Sequence, residues 1–173
     1  MITENDELAG LLEPVAELAQ LAGEKILAVY NSDEFSVEEK SDKSPLTAAD
    51  LASHHAIVDG LTALTPDIPI LSEESASLPF AERSAWQRYW LVDPLDGTRE
   101  FIKRNGEFTV NIALIEDGIA VLSVVHVPVT GVSYLACKGL GAFKQEGAGE
   151  RRAISVRKLG AGPLMVVGSR SHR

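Results

Sequence analysis

Three stretches rich in Val, Ile and aromatic residues follow one another at residues 108–115, 119–127 and 132–136, separated only by "EDG" and "PVTG". Links this short close hairpins rather than crossovers, so the run reads as an antiparallel meander. Gly139, Gly141 and Phe143 suggest one more edge strand, and "GAGERR" reads as a polar turn. A sheet of this kind buries one face only if something else in the chain covers it.

The covering layer is legible upstream. From residue 14 to about 30, Val15, Leu18, Ala19, Ala22, Ile26 and Val29 recur at helical spacing, with Pro14 suited to the first turn and a weaker helical turn before it. A second helix is expected at 48–64, with Leu51, His55, Val58 and Leu61 on one face. Thr47 and Asp50 form a capping-box pattern at its start. Shorter extended pieces fall at 35–39, at 68–71 running into Glu73 and Glu74, and at 89–92. The expected fold is α+β, two helices packed on an antiparallel sheet of about six strands. Residues 1–160 would form this domain. The apolar run at 164–167 reads as the first strand of a second α/β domain, so 161–173 would begin it.

Bulk properties narrow the function. The 173 residues are 45% hydrophobic and 24% charged, as in ordinary globular proteins. No apolar run approaches the roughly 18 residues of a transmembrane helix. The acidic start "MITENDELAG" does not resemble a signal peptide. Cys137 is the only cysteine, which excludes an internal disulfide and fits a reducing cytoplasm. A net charge of −9 argues against a nucleic-acid partner. It is unevenly spread: six basic residues and no acid follow Glu150, leaving −15 on the first 150 residues.

"WLVDPLDGTREF", residues 90–101, concentrates the chemistry. One reading is a strand ending in a turn, because Pro and Asp-Gly are ordinary turn residues. The other is a divalent cation held beside a phosphate. Asp93 and Asp96 can point into one cleft, the Leu95 carbonyl is free to coordinate, and Gly97 lets backbone approach an anion. On spacing alone the turn is the stronger reading. The spacing matches neither an EF-hand nor a P-loop.

The blocks "SPLTAAD", "LSEES" and "DPLDGT", in that order, resemble the signature of the inositol monophosphatase superfamily. The longer run "YWLVDPLDGTREFIKRNGEFTVNIALIEDG" resembles one branch, the bacterial 3′(2′),5′-bisphosphate nucleotidases of the CysQ type. The resemblance implies the first half of a layered αβαβα sugar-phosphatase fold. It also implies two or three Mg²⁺ ions and inhibition by Li⁺. Glu73, Asp93 and the Leu95 carbonyl would hold the first ion; Asp93 would bridge to a second, bound by Asp96. Thr98 paired with Asp50 would orient and deprotonate the attacking water, with Glu73 also at the catalytic centre. Gly97 and Thr98 would hold the phosphate beside Glu73, Leu95 and Asp96, Glu74 would support the ligands, and Lys43 or Lys40 would screen phosphate charge. The implied reaction turns adenosine 3′,5′-bisphosphate into AMP and phosphate, recycling a by-product of sulfate assimilation. The substrate is thus a small phosphorylated nucleotide in the cytoplasm, with peripheral association with the inner membrane and a homodimer left open.

The family's second domain supplies a further Asp from a "WD" sequence, and no acid follows Glu150 here. The chain itself is therefore expected to be inactive. Competing readings are an inositol or fructose bisphosphatase and a non-catalytic module that self-associates. His54 and His55 read as residues alternating between core and solvent, Cys137 as a small packing residue, and Trp86 and Trp90 as core or interface.

Overall fold

The expected meander forms the centre of a seven-stranded sheet. The computed structural model describes residues 4–32, 37–39, 45–75, 78–158, 160, 162–163 and 165–168. The sheet comprises β3 (Ile70–Ser72), β4 (Arg88–Asp96), β5 (Thr109–Glu116), β6 (Ile119–Val127), β7 (Val132–Cys137), β8 (Gly141–Glu146) and β9 (Arg152–Ile154), adjacent in chain order. Every pairing is antiparallel except β3 with β4. That exception follows from the link. Residues 73–87, which include the short helix α3 (Phe80–Arg83), are long enough to return the chain to the same end of the sheet. β1 (Val37–Glu39) and β2 (Pro45–Thr47) form a separate two-stranded ladder.

The helices α1 (Glu4–Tyr30) and α2 (Ala48–Leu64) lie on one sheet face. Trp90, Val92, Val110, Ile112, Leu114, Leu122, Val124 and Leu135 alternate inward along their strands and are buried. They meet Leu8, Val15, Ala19, Ala22 and Ile26 of α1 and Ile57 and Leu61 of α2. Trp90 is fully buried, its indole N–H donating to Thr65 Oγ1 at 2.8 Å. Cys137 also belongs to the core. Among the described residues, no helix is long and apolar enough to cross a membrane.

The α+β class is as expected, and four details differ. First, α1 does not begin at Pro14 but passes through it. An interior proline costs about 3 kcal/mol; burial of Leu8 and Leu12 ahead of it rewards continuing the helix. Second, the inner face of α2 is Ala49, Asp50, Ser53, Ile57 and Leu61, while Leu51 and His55 point outward. Polar bonding at Asp50 and Ser53 outweighs the apolar pattern. Third, β9 follows the expected turn at "GAGERR" and adds a strand that the pattern did not show, so the sheet has seven strands rather than about six. Fourth, residues 165–168 form no strand, and Met165, Val166 and Val167 are exposed. An apolar run becomes a strand only where a ladder receives it.

α1 packs tightly against the sheet at Gly23. A Cβ there would lie 2.7 Å from the His126 ring of β6. That ring is buried and bonded through Nδ1 to Ser133 Oγ at 2.9 Å. Burial holds its pKa below the usual histidine value, with Glu24 acting in the opposite direction. Gly23→Ala should therefore destabilise the protein by about 1–3 kcal/mol, despite alanine's better helix propensity. Gly10 lies in the same helix with nothing near its would-be Cβ, so Gly10→Ala should stabilise by about 1 kcal/mol. Urea denaturation of both variants checks the opposite signs.

Candidate active site

β4 carries Asp93 and Asp96, three positions apart. On a regular strand such residues point to opposite faces. Here Asp93 pairs with Asn111 and Asp96 with Thr109, so three steps on β4 match two on β5. That β-bulge brings both aspartates to the same side. Pro94 sits within it, where its missing N–H removes a ladder bond the bulge has already given up. Asn111 verifies the geometry: its Nδ2 donates to Asp96 Oδ2 at 3.2 Å, while Thr109 Oγ1 donates to its Oδ1 at 3.1 Å.

Beyond the bulge, Gly97 turns the chain into α4 (Thr98–Ile102). Its φ of 104° is left-handed, and a Cβ would meet the Glu107 carbonyl at 2.9 Å, so glycine is required twice over. The turn delivers Thr98 to Asp50. Thr98 Oγ1 donates to Asp50 Oδ1 at 3.1 Å, while Asp50 Oδ2 accepts from Thr47 N at 2.8 Å and Thr47 Oγ1 at 2.6 Å. The capping box thus fixes Asp50, fully buried, at the start of α2. Thr98 Oγ1 is also 3.4 Å from the Leu95 carbonyl.

Glu73 arrives from the other side. Its N–H donates to Val92 O at 3.0 Å, extending the β3–β4 ladder to the residue before Asp93. Burial, the charges of Glu73 and Asp96 and a hydrogen bond with Glu73 push Asp93 up to about 7; a backbone bond at Leu95 opposes them. Among the described residues, the buried Asp93 Oδ1 has no hydrogen-bond partner. Crowded acids with a bare oxygen are what a hard cation relieves, and the donors are all oxygen. Among the described residues no three His, Cys, Asp or Glu side chains converge into a cage, consistent with Asp96 turning toward Asn111. The residues fit a Mg²⁺ that completes its shell with water or phosphate, rather than one enclosed by protein. Glu73 and Asp93 open onto a cleft of about 490 Å³ on the sheet face away from α1 and α2, walled by Leu71, Leu91, Ala113 and Arg83 of α3.

Asp50, Glu73, Asp93, Leu95, Asp96, Gly97 and Thr98 thus fall in one region. Glu74 is half-exposed beside Glu73, and Lys43 and Lys40 lie outside the described residues. Three supporting groups escaped the sequence reading. Ser53, fully buried, donates to the Pro94 carbonyl at 2.7 Å. His54 Nδ1 meets Ser72 Oγ at 2.9 Å. Asn111 orients Asp96. Ser53 stands one helical turn after Asp50, and Asn111 is a polar residue in the apolar run "TVNIALI"; these were the available signals.

The pKa of Asp93 carries a stability consequence. Its folded value lies above the unfolded one near 3.8, so between the two the folded chain binds more protons. Stability from this group is intact below the unfolded pKa and is lost as pH rises toward about 7. In chelator at pH 8, Asp93→Asn should stabilise the chain by about 1–3 kcal/mol, partial exposure screening the full effect. The gain should vanish near pH 4, and thermal melts at both pH values measure it.

The model of the "Inositol monophosphatase family" matches residues 7–172. The chain is 55% identical over 163 residues to the 3′(2′),5′-bisphosphate nucleotidase CysQ of Escherichia coli K12, covering 94% of this chain and 64% of that protein. It is 56% identical to the Salmonella typhimurium CysQ with the same coverage. A crystal structure of CysQ from Bacteroides thetaiotaomicron superposes with a TM-score of 0.69 at 43% identity, over 88% of this chain and 53% of that one. The chain thus spans less than two thirds of the length of these relatives.

Proposed function

The chain belongs to the inositol monophosphatase family, and on that footing we propose that it is the catalytic-site portion of a Mg²⁺-dependent phosphatase that converts adenosine 3′,5′-bisphosphate to AMP and phosphate. The nucleotidase names of the relatives support the substrate. The observation that carries the chemistry is the convergence of a Thr98–Asp50 hydrogen-bonded pair with the bare buried oxygen of Asp93 beside Glu73.

Each residue has a role in this reading. Glu73, Asp93, Asp96 and the Leu95 carbonyl hold the cations, which when bound supply positive charge against the phosphate oxygens. Thr98 Oγ1, its own proton directed at Asp50, accepts a hydrogen bond from the attacking water, so that the water's lone pair faces phosphorus. The water's proton passes through Thr98 to Asp50 as the new P–O bond forms and the old one breaks, and the ester oxygen leaves as a hydroxyl after taking a proton from solvent in the open site. The N–H groups of Gly97 and Thr98 orient the phosphate, and Glu74 supports Glu73. Positioning and electrostatics suffice for phosphoryl transfer without a covalent intermediate. The remaining third of the relatives' length would contribute a second domain, begun at 161–173, with the closing carboxylate and the nucleoside surface. The chain alone would then be nearly inactive.

The test uses a protein of the relatives' full length. Phosphate release from adenosine 3′,5′-bisphosphate should exceed that from inositol 1-phosphate by about tenfold or more, and chelator should abolish it. Thr98→Ala should lower kcat by about 100-fold or more, the scale of lost general-base assistance. Faster release from inositol 1-phosphate would transfer the substrate to the competing reading. Full activity in chelator would end the cation reading.

A further inference from the structure

The first turns of α2 send three side chains to three separate parts of the site. Asp50 bonds Thr98 at the start of α4, Ser53 bonds the Pro94 carbonyl in the β4 bulge, and His54 bonds Ser72 at the end of β3. The first two segments are continuous with β4, a long strand paired on both sides. β3 is different. It has three residues, stands at the sheet edge and pairs only with β4. Ser72 is its last residue and Glu73 follows at once.

At that end of the ladder Glu73 lies beside Asp93. Glu73 lies just past the three ladder pairs, Ile70 with Trp90, Leu71 with Leu91 and Ser72 with Val92; its N donates to Val92 O at 3.0 Å, and the opposite end is closed by Trp90 N to Pro69 O at 2.8 Å. Ser72 is only 4% exposed, so its hydroxyl has little access to water and depends on its bond with His54. His54 is half-buried, and its neighbour His55, ring centre 5.4 Å away, is exposed. With Nδ1 committed to Ser72, His54 is placed to brace the strand.

We propose that His54 is a positioning residue: through Ser72 it anchors the free end of β3 and keeps Glu73 against Asp93, ready to receive a cation. The proposal rests on the cation reading only for its consequence, because the bracing itself is a property of the cation-free chain. A helix residue thereby controls a carboxylate it does not touch. The bond needs only a donor or acceptor where Nδ1 stands, and the amide of Asn places one on the same branch of the side chain.

The experiment uses the 173-residue chain as wild type, His54→Ala, His54→Asn and His55→Ala, with amide hydrogen exchange and Mg²⁺ calorimetry on each. In His54→Ala the Glu73 amide should exchange about tenfold faster while the Trp90 amide stays unchanged, a local opening at one end of β3. Mg²⁺ affinity should fall by about 10–100-fold, the usual effect of removing a group that orients a ligand. His54→Asn should recover both, and His55→Ala should match wild type. Alanine favours helix more than asparagine does, so an effect acting through α2 stability would give the reverse order. Unchanged Glu73 exchange in His54→Ala overturns the proposal, as does acceleration of all amides by one common factor. Failure of His54→Asn to restore Glu73 protection overturns its hydrogen-bond basis. If the wild type binds no Mg²⁺ while Glu73 still loosens in His54→Ala, the cation reading fails and the bracing stands. If Mg²⁺ binds equally to both, the bracing does not serve the cation and the proposal fails.

Discussion

Glu73 and Asp93 come from neighbouring strands to within hydrogen-bonding reach, and both are acids. Holding them together opposes Coulomb repulsion in a partly buried setting, where charge is poorly screened. The surrounding architecture can be understood as the means of doing so. β4 and β5 form a long ladder backed by the core, the bulge adds Asp96 to the same side, and α2 ties the loose segments down. The apolar core supplies the free energy. The directional bonds decide where it is applied.

Much of this frame was legible from residue pattern. The meander, the extent of α2 and the burial of Trp90 follow from hydrophobic period, turn residues and aromatic size. The Thr47–Asp50 capping box was visible as spacing, and the structure makes both of its reciprocal bonds. What pattern missed lies where tertiary contact overrides local preference. Pro14 reads as a helix start, yet the buried residues on both sides carry α1 through it. The pattern puts Leu51, His55, Val58 and Leu61 on one face of α2, and of these only Leu61 is buried. Asp50 and Ser53 occupy the inner face because their partners lie across the interface.

The site divides along the same line. Asp93, Asp96, Gly97 and Thr98 sit in one contiguous block, so their type and order announced them. Their geometry was less visible, since nothing in "DPLD" says whether the strand stays in register. Only the pairing with Asn111 and Thr109 reveals the extra residue that puts both aspartates on one side. Ser53, His54, Ser72 and Asn111 were obscure for a related reason. A hydroxyl or imidazole is unremarkable in sequence, and its partner is fixed only once the strands are in place.

The polar inner face of α2 has a consequence for how the helix tolerates displacement. Apolar surfaces in contact can slide or rotate against each other while losing only part of their packing. Directed bonds from Asp50 to Thr98, from Ser53 to Pro94 and from His54 to Ser72 cannot, because each spans the interface at a fixed distance and direction. One residue added early in α2 would turn the rest of the helix by about 100°. Ile57 and Leu61 could find other apolar neighbours; Ser53 and His54 would find none of theirs. The helix thus works as a gauge of its own register, with a fault at this interface appearing in the site before it appears in the fold.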